Sequence, residues 1–337
     1  MRLCTISVVL VASVCMGRVW AQPEPVTVDP QIEQAIAAGD WQALAALCKA
    51  WQEREPKSPL AAYLASEAYC RLNQPDRSSR VSAPMFEATY KDPDGLPPLA
   101  VWARDFAGRY PRVSTPWQLL ADLLTYAEEY DASVEAAKRA VTLAPDDPAA
   151  YLTRGWAYYW VDDNERAIAD LTKAIELRPD YAEAYQCRGD VYTWEGDHEK
   201  ALADYNRTIE LVPDYGDAYF GRGQLHLFER ELNPAIADLT KAIELEPWFT
   251  WSYEMRGIAY YRKKEYEHAA EDFARYLELD PSEASLWFYK ARALRQLGRT
   301  QEAIAALREF IELAPDRGLA WRIPEARALL RGLGTAE

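Results

Sequence analysis

The chain has 337 residues, with 53 acidic against 38 basic side chains and a net charge of −15. No basic run interrupts that balance, so a polyanion such as nucleic acid is repelled. Three His and five Cys leave general bases, thiolate nucleophiles and metal ligands scarce, whereas 49% apolar residues, 12 Trp and 21 Tyr supply a core and binding anchors.

At the start, Arg2, the apolar stretch Leu3 to Met16 and the exit Val19-Trp20-Ala21 before Gln22-Pro23 read as a secretory signal peptide over residues 1–21. Export to a periplasm or to the exterior is the corresponding expectation. The alternative is an uncleaved anchor, against which stand the shortness of the apolar run and its interruption by Arg18. Val14 before Cys15 argues against lipidation. Beyond this segment the cysteines are Cys48, Cys70 and Cys187. Cys48 and Cys70 fall on successive expected helices and could pair in an oxidising compartment. Three buried thiols acting as small hydrophobes is the plainer reading.

Residues 22–113 carry a degenerate version of a helical pattern. Gly39-Asp40-Trp41 makes a turn, Gln42 to Trp51 a helix ending at Pro56, Leu60 to Leu72 a second helix, and Leu99 to Arg109 a third ending at Pro111. An insertion at about 74–98 is rich in Pro, Ser and Asp and breaks helices. It is a functional loop or tolerated surface.

A strict period then takes over. Pro111, Pro145, Pro179, Pro213, Pro247, Pro281 and Pro315 are each 34 residues apart. With the proline as position 32, six units begin at Ser114, Pro148, Ala182, Gly216, Thr250 and Ala284 and cover 114–317. Position 4 is always a large aromatic, from Trp117 and Tyr151 to Trp287. Position 8 is always small, from Ala121 and Gly155 to Ala291, as close backbone approach requires. Apolar stripes at positions 4, 8, 11 and at 20, 21, 24, 27, 28 make each unit two antiparallel helices. Asp146, Asp180, Asp214, Ser282 and Asp316, at position 33, are the expected N-caps of the following unit.

These offsets resemble the tetratricopeptide repeat family, whose pattern of aromatic, Leu-Gly, Tyr, Ala, aromatic or Leu, Ala and Pro recurs here over six units. The resemblance implies an all-α fold, a right-handed α-solenoid of helix-turn-helix repeats. One departure is position 7, where Arg154, Arg188, Arg222, Arg256 and Lys290 replace Leu. Asp170, Asp204, Asp238 and Asp272 at position 23 are their expected structural partners; an anion-binding spine is the other possibility, weakened by those same carboxylates. After Pro315, residues 318–337 supply a capping helix from Gly318 to Leu330 and a tail, with Arg322, Glu325, Arg327 and Arg331 on its outer side.

The resemblance also implies that positions 2, 5, 9, 12 and 13 face the concave groove. Trp156, Trp160, Asp190, Trp194, Phe220, Phe228 and Trp251 are therefore the partner-binding candidates. Trp160, Trp194 and Phe228 form a ladder at position 13, which is usually polar, and rigid aromatics are common interface anchors. Asp122, Glu183, Asp190, Asp217 and Glu254 would make the groove acidic and suit an apolar or aromatic peptide with some positive charge. Trp248, Phe249 and Trp251 are a second cluster, serving packing or docking. His198, His226 and His268 have no recurring nucleophile beside them, and no catalytic residue, metal site or cofactor is expected. The leading function is an exported protein-interaction scaffold for a peptide or partner protein. A glycan or cell-wall binding module is the alternative, and self-association a further one.

Overall fold

The computed structural model describes residues 28–55, 58–72 and 96–335. The expected signal segment, the 74–98 insertion except its last residues, and the Cys70 side chain lie outside the described residues. Helices Pro30–Ala38, Trp41–Arg54, Pro59–Arg71 and Leu96–Arg109 precede the array. The first of these was not apparent in the sequence, because its stripe is short and lies ahead of any periodic proline. Trp102 Nε1 donates to Glu33 at 3.2 Å and Arg109 Nη2 to the same carboxylate at 2.7 Å, tying that helix to Leu96–Arg109. The Arg109 guanidinium holds the Glu33 carboxyl below the usual range. Cys48 is a buried, unbridged thiol whose pKa burial pushes up to about 12.

Each repeat unit folds as two helices. The first helices are Ser114–Tyr126, Pro148–Trp160, Ala182–Glu195, Gly216–Phe228, Thr250–Lys263 and Ala284–Gln296. The second helices are Tyr130–Leu143, Asn164–Leu177, His198–Leu211, Leu232–Leu245, Tyr266–Leu279 and Thr300–Leu313. Every first helix ends the same way. Position 15 is left-handed in all six units, with φ from 59° at Asp162 to 79° at Gly196, although only Gly196 and Gly298 are glycines. The amide of position 16 then donates to the carbonyl of position 11, as from Asp197 to Tyr192 at 2.9 Å, closing the helix end. Sheathed by these turns, Ser133, Ala167, Ala201, Ala235, Ala269 and Ala303 at position 20 are all fully buried, so the paired backbones pack closely.

The helix starts correct the expected caps. For units two to six the N-cap lies at position 34, one residue after the position assigned from sequence, and Asp316 caps no helix, since the terminal helix starts at Ile323. Asp147 accepts from Ala149 and Glu283 from Ser285, while Tyr181, Tyr215 and Phe249 hold that place in the intervening units. Tyr181 and Tyr215 are buried. Burying a large ring stabilises by more than a cap hydrogen bond, about 2 against 1 kcal/mol, so packing decides which residue takes this position.

The units are knitted by two repeated contacts. Tyr219 Oη donates to the Pro213 carbonyl at 3.0 Å, Tyr185, Tyr253 and Trp287 make the equivalent bond, and each ties position 4 to the preceding unit. Arg154, Arg188, Arg222 and Arg256 each bind Asp170, Asp204, Asp238 and Asp272 through two nitrogens at 2.6–2.9 Å. The guanidinium groups also lie over the position 4 rings, at 5.5–5.9 Å from their centroids. Arg188, Arg222 and Arg256 reach further, to Thr172, Asn206 and Thr240 on the second helix of the preceding unit. The Arg and Asp ladders are thus one structural device in units two to five, where Arg replaces the Leu that unit one keeps as Leu120.

From unit one to unit five the first helices touch one another from unit to unit, and the second helices sit further apart. The row of first helices is therefore the inner side of the curve. At the far end, the terminal helix is Ile323–Gly332, entered through a short 3₁₀ turn at Ala320–Arg322, and it covers Phe288 and Phe310 with Ala326 and Leu330. Arg322 departs from its expected outward position: its guanidinium lies 4.4 Å from the Phe288 ring centroid, packed as part of the seal. Glu325, Arg327 and Arg331 are exposed.

Candidate functional site

The seven partner-binding candidates do not form one site: Trp160, Trp194 and Phe228 share an edge, Phe220 and Trp251 a unit junction, and Trp156 and Asp190 lie on the first helices of units two and three. Position 13 lies at the C-terminal end of the first helix, beside the turn, so its side chains form a row along the edge of the stack. Two rungs, Trp160 and Phe228, lean on position 17 of the preceding unit. Trp160 stacks on Tyr130, with centroids 5.6 Å apart and planes 3° from parallel, and Phe228 packs edge-on against His198 at 5.2 Å. Trp160 is consequently half-buried, and it also meets Trp156 edge-on at 5.8 Å. Trp194 and Phe228 stay exposed, at 42% and 65%. Tyr126, the position 13 residue of unit one, is exposed as well and extends the row to four units. Reading the ladder from Trp160 onward overlooked it, although the 34-residue offset marks it directly.

Phe220 and Trp251 belong to a different cluster, at the junction of units four and five. Phe249 stands between them, with ring centroids 4.9 Å from Phe220 and 5.6 Å from Trp251. All three are half-buried. Trp156 stacks on Tyr159 at 5.2 Å further back along the inner row.

Asp190 lies between these aromatic groups, on the first helix of unit three. Its Oδ1 accepts from Tyr205 Oη at 2.9 Å and from Gln186 Nε2 at 3.1 Å. Tyr205 Oη is also 2.9 Å from Thr193 Oγ1. The Tyr205 ring reaches this place because two glycines make room: a Cβ on Gly189 would stand 2.8 Å from it and one on Gly221 2.7 Å. Gln186 Nε2 lies 3.4 Å from the Asp217 carbonyl, bridging units three and four. Tyr205 and Gln186 were missed in the sequence. The signal for Tyr205 was a tyrosine at position 24 matched by a glycine at position 6 of the next unit, and that for Gln186 its place four residues before Asp190.

The electrostatics of this inner surface are set by its carboxylates. Burial pushes the Asp190 carboxyl up to about 7, with the Asp217 charge adding to the shift. Burial raises Asp217 to about 6. In unit five, Glu254 is pushed to about 7 by burial and then by the charge of Glu283. Desolvated carboxylates that repel one another favour uptake of a positive charge, as a proton or as a ligand. Among the described residues no group of three His, Cys, Asp or Glu side chains is placed to hold a metal ion. None of the described helices is long and apolar enough to cross a membrane.

Sequence profiles described as tetratricopeptide repeat match residues 115–147, 216–247 and 254–318, and a further profile described as TPR repeat matches 162–193 and 189–227. No curated protein matches the chain. Among solved structures, the Cut9–Hcn1 complex of the APC/C superposes with a TM-score of 0.58 at 15% identity, over 82% of this chain and 63% of that one. PilF of Pseudomonas aeruginosa gives 0.58 at 14% identity over 66% and 99%, and PilW, a type IV pilus biogenesis factor, 0.54 at 18% over 60% and 94%. At these identities the likeness is one of fold. Profile matches over most of the periodic region, together with the paired helices, place the chain in the tetratricopeptide repeat family.

Proposed function

We propose that the chain is an exported, non-catalytic scaffold that binds a peptide segment of a partner protein, using its inner row of first helices and the adjoining aromatic edge. One observation carries this reading. Among the described residues five large hydrophobic side chains are exposed, and three of them, Tyr126, Trp194 and Phe228, hold the same position in units one, three and four. Core packing does not require exposed rings in register, and a row of rigid aromatics is what a protein interface uses as anchors. Export rests on the character of residues 1–21.

The test is capture from an envelope extract with the full chain and with Trp194→Ala and Phe228→Ala. A stoichiometric protein partner is expected, bound about 2 kcal/mol more weakly by each variant, with unchanged melting temperatures because both rings are exposed. Retention on polysaccharide, with no protein partner, would replace this reading by glycan binding. Equal affinity of both variants for the partner would remove the aromatic edge from the interface.

A further inference from the structure

We propose that Gln186, Asp190 and Asp217 form a subsite for one guanidinium or ammonium group of the bound peptide, an arginine or lysine side chain. The proposal presupposes the peptide-binding reading above and adds the chemistry of one recognised residue.

Three features converge on it. First, Asp190 and Asp217 are carboxylates of adjacent units, the Asp217 charge adds to the cost of ionising Asp190, and among the described residues no Arg or Lys is bonded to either. The contrast with the neighbouring ladder is direct: Asp204 and Asp238, on the second helices of the same two units, are each bound by an arginine through two nitrogens. Second, Gln186 is only 6% exposed, and its carbonyl oxygen is buried without a hydrogen-bond partner. Its amide orientation is fixed, because Nε2 faces two acceptors, Asp190 Oδ1 and the Asp217 carbonyl. Turning the amide would set oxygen against oxygen. The orphan acceptor sits on the same side chain that binds Asp190, and no described group supplies it with a donor.

Third, the surroundings suit a flat cation. Tyr159, which stacks on Trp156, lies close enough to Asp190 for the carboxylate charge to raise its hydroxyl pKa further. A guanidinium placed between Asp190 and Asp217 can donate to both carboxylates and to Gln186 while its face meets an aromatic ring. Tyr205 and Gln186 both donate to Asp190 Oδ1, which holds that side chain in place. The overall charge of −15 favours approach of a basic segment.

The experiment is selection from a random-peptide phage library on the full chain and on a variant carrying Asp190→Asn and Asp217→Asn. Both substitutions keep side-chain shape and one acceptor oxygen each while removing the charge, and thermal melts confirm that the variant is folded. Wild-type protein is expected to enrich peptides with arginine or lysine at one aligned position. The variant is expected to lose that preference and to bind a synthetic enriched peptide about tenfold or more weakly. Replacing the basic residue of that peptide by glutamine should weaken binding to wild type by a similar factor and leave the variant unaffected. Enriched peptides with no aligned basic residue overturn the subsite while sparing the groove. A basic preference that survives in the variant places the cation elsewhere and also overturns it. If no peptide is enriched, the groove reading falls and the subsite with it.

Discussion

Asp190 shows what a single buried carboxyl costs in stability. Its carboxyl, pushed up to about 7, prefers the proton in the folded state, since an unstructured aspartate titrates near 3.8. The stabilisation from that proton is complete below the unfolded value and is lost as pH rises towards 7; Asp217 and Glu254 act in the same sense. Asp190→Asn should therefore be more stable than wild type at pH 8, by about 1 kcal/mol, with the gain gone by pH 4. Paired thermal melts across that range check it, and a variant less stable than wild type at pH 8 would refute it. The place of Asp190 on the first helix of unit three was legible, because the repeat offset assigns it. Its contact with Tyr205 was not, since that depends on two glycines in different units, whereas Gln186 stands four residues earlier on the same helix and the spacing alone discloses that pair.

At the scale of the helical element, the turn inside each unit is the most uniform feature and the least visible in the sequence. The left-handed residue at position 15 is Glu128, Asp162, Arg230 or Lys264 in four units, where a side chain opposes the backbone geometry. The Gly196 and Gly298 units disclose the turn; the other four adopt it because stacking of the helices overrides local preference. Lys264→Gly relieves this opposition, and a stabilisation of about 1 kcal/mol is expected by chemical denaturation. A loss of stability would mean that contacts of the Lys264 side chain outweigh the backbone term. Helix starts were readable for the same reason that caps were misplaced: the proline fixes where one helix stops, whereas the choice between positions 33 and 34 turned on which residue buries a ring.

For the whole molecule the period of 34 residues disclosed the architecture, because a solenoid repeats the same packing and so the same residue types. Legibility failed where repetition failed, at Pro30–Ala38 and at Arg322, whose surroundings occur once. The terminal helix Ile323–Gly332 seals the last unit, and Leu330 is fully buried against it. Removing residues 318–337 uncovers Phe288 and Phe310, and light scattering is expected to show association that the intact chain lacks at the same concentration. A truncated chain that remains monomeric would show that the cap is dispensable.

The arginine rungs have a mechanical consequence. Arg188, Arg222 and Arg256 bind a side chain of the preceding unit, whereas Arg154 and Lys290 make no such bond among the described residues. Tension applied at the two ends would then part the array first at the seams before unit two and before unit six, leaving residues 148–283 as a kernel that yields last. Single-molecule stretching should show that four-unit kernel rupturing at the highest force, and rupture beginning between units three and four would contradict it. A protein anchored at both ends by its partners would behave as a stiff central strut with compliant ends.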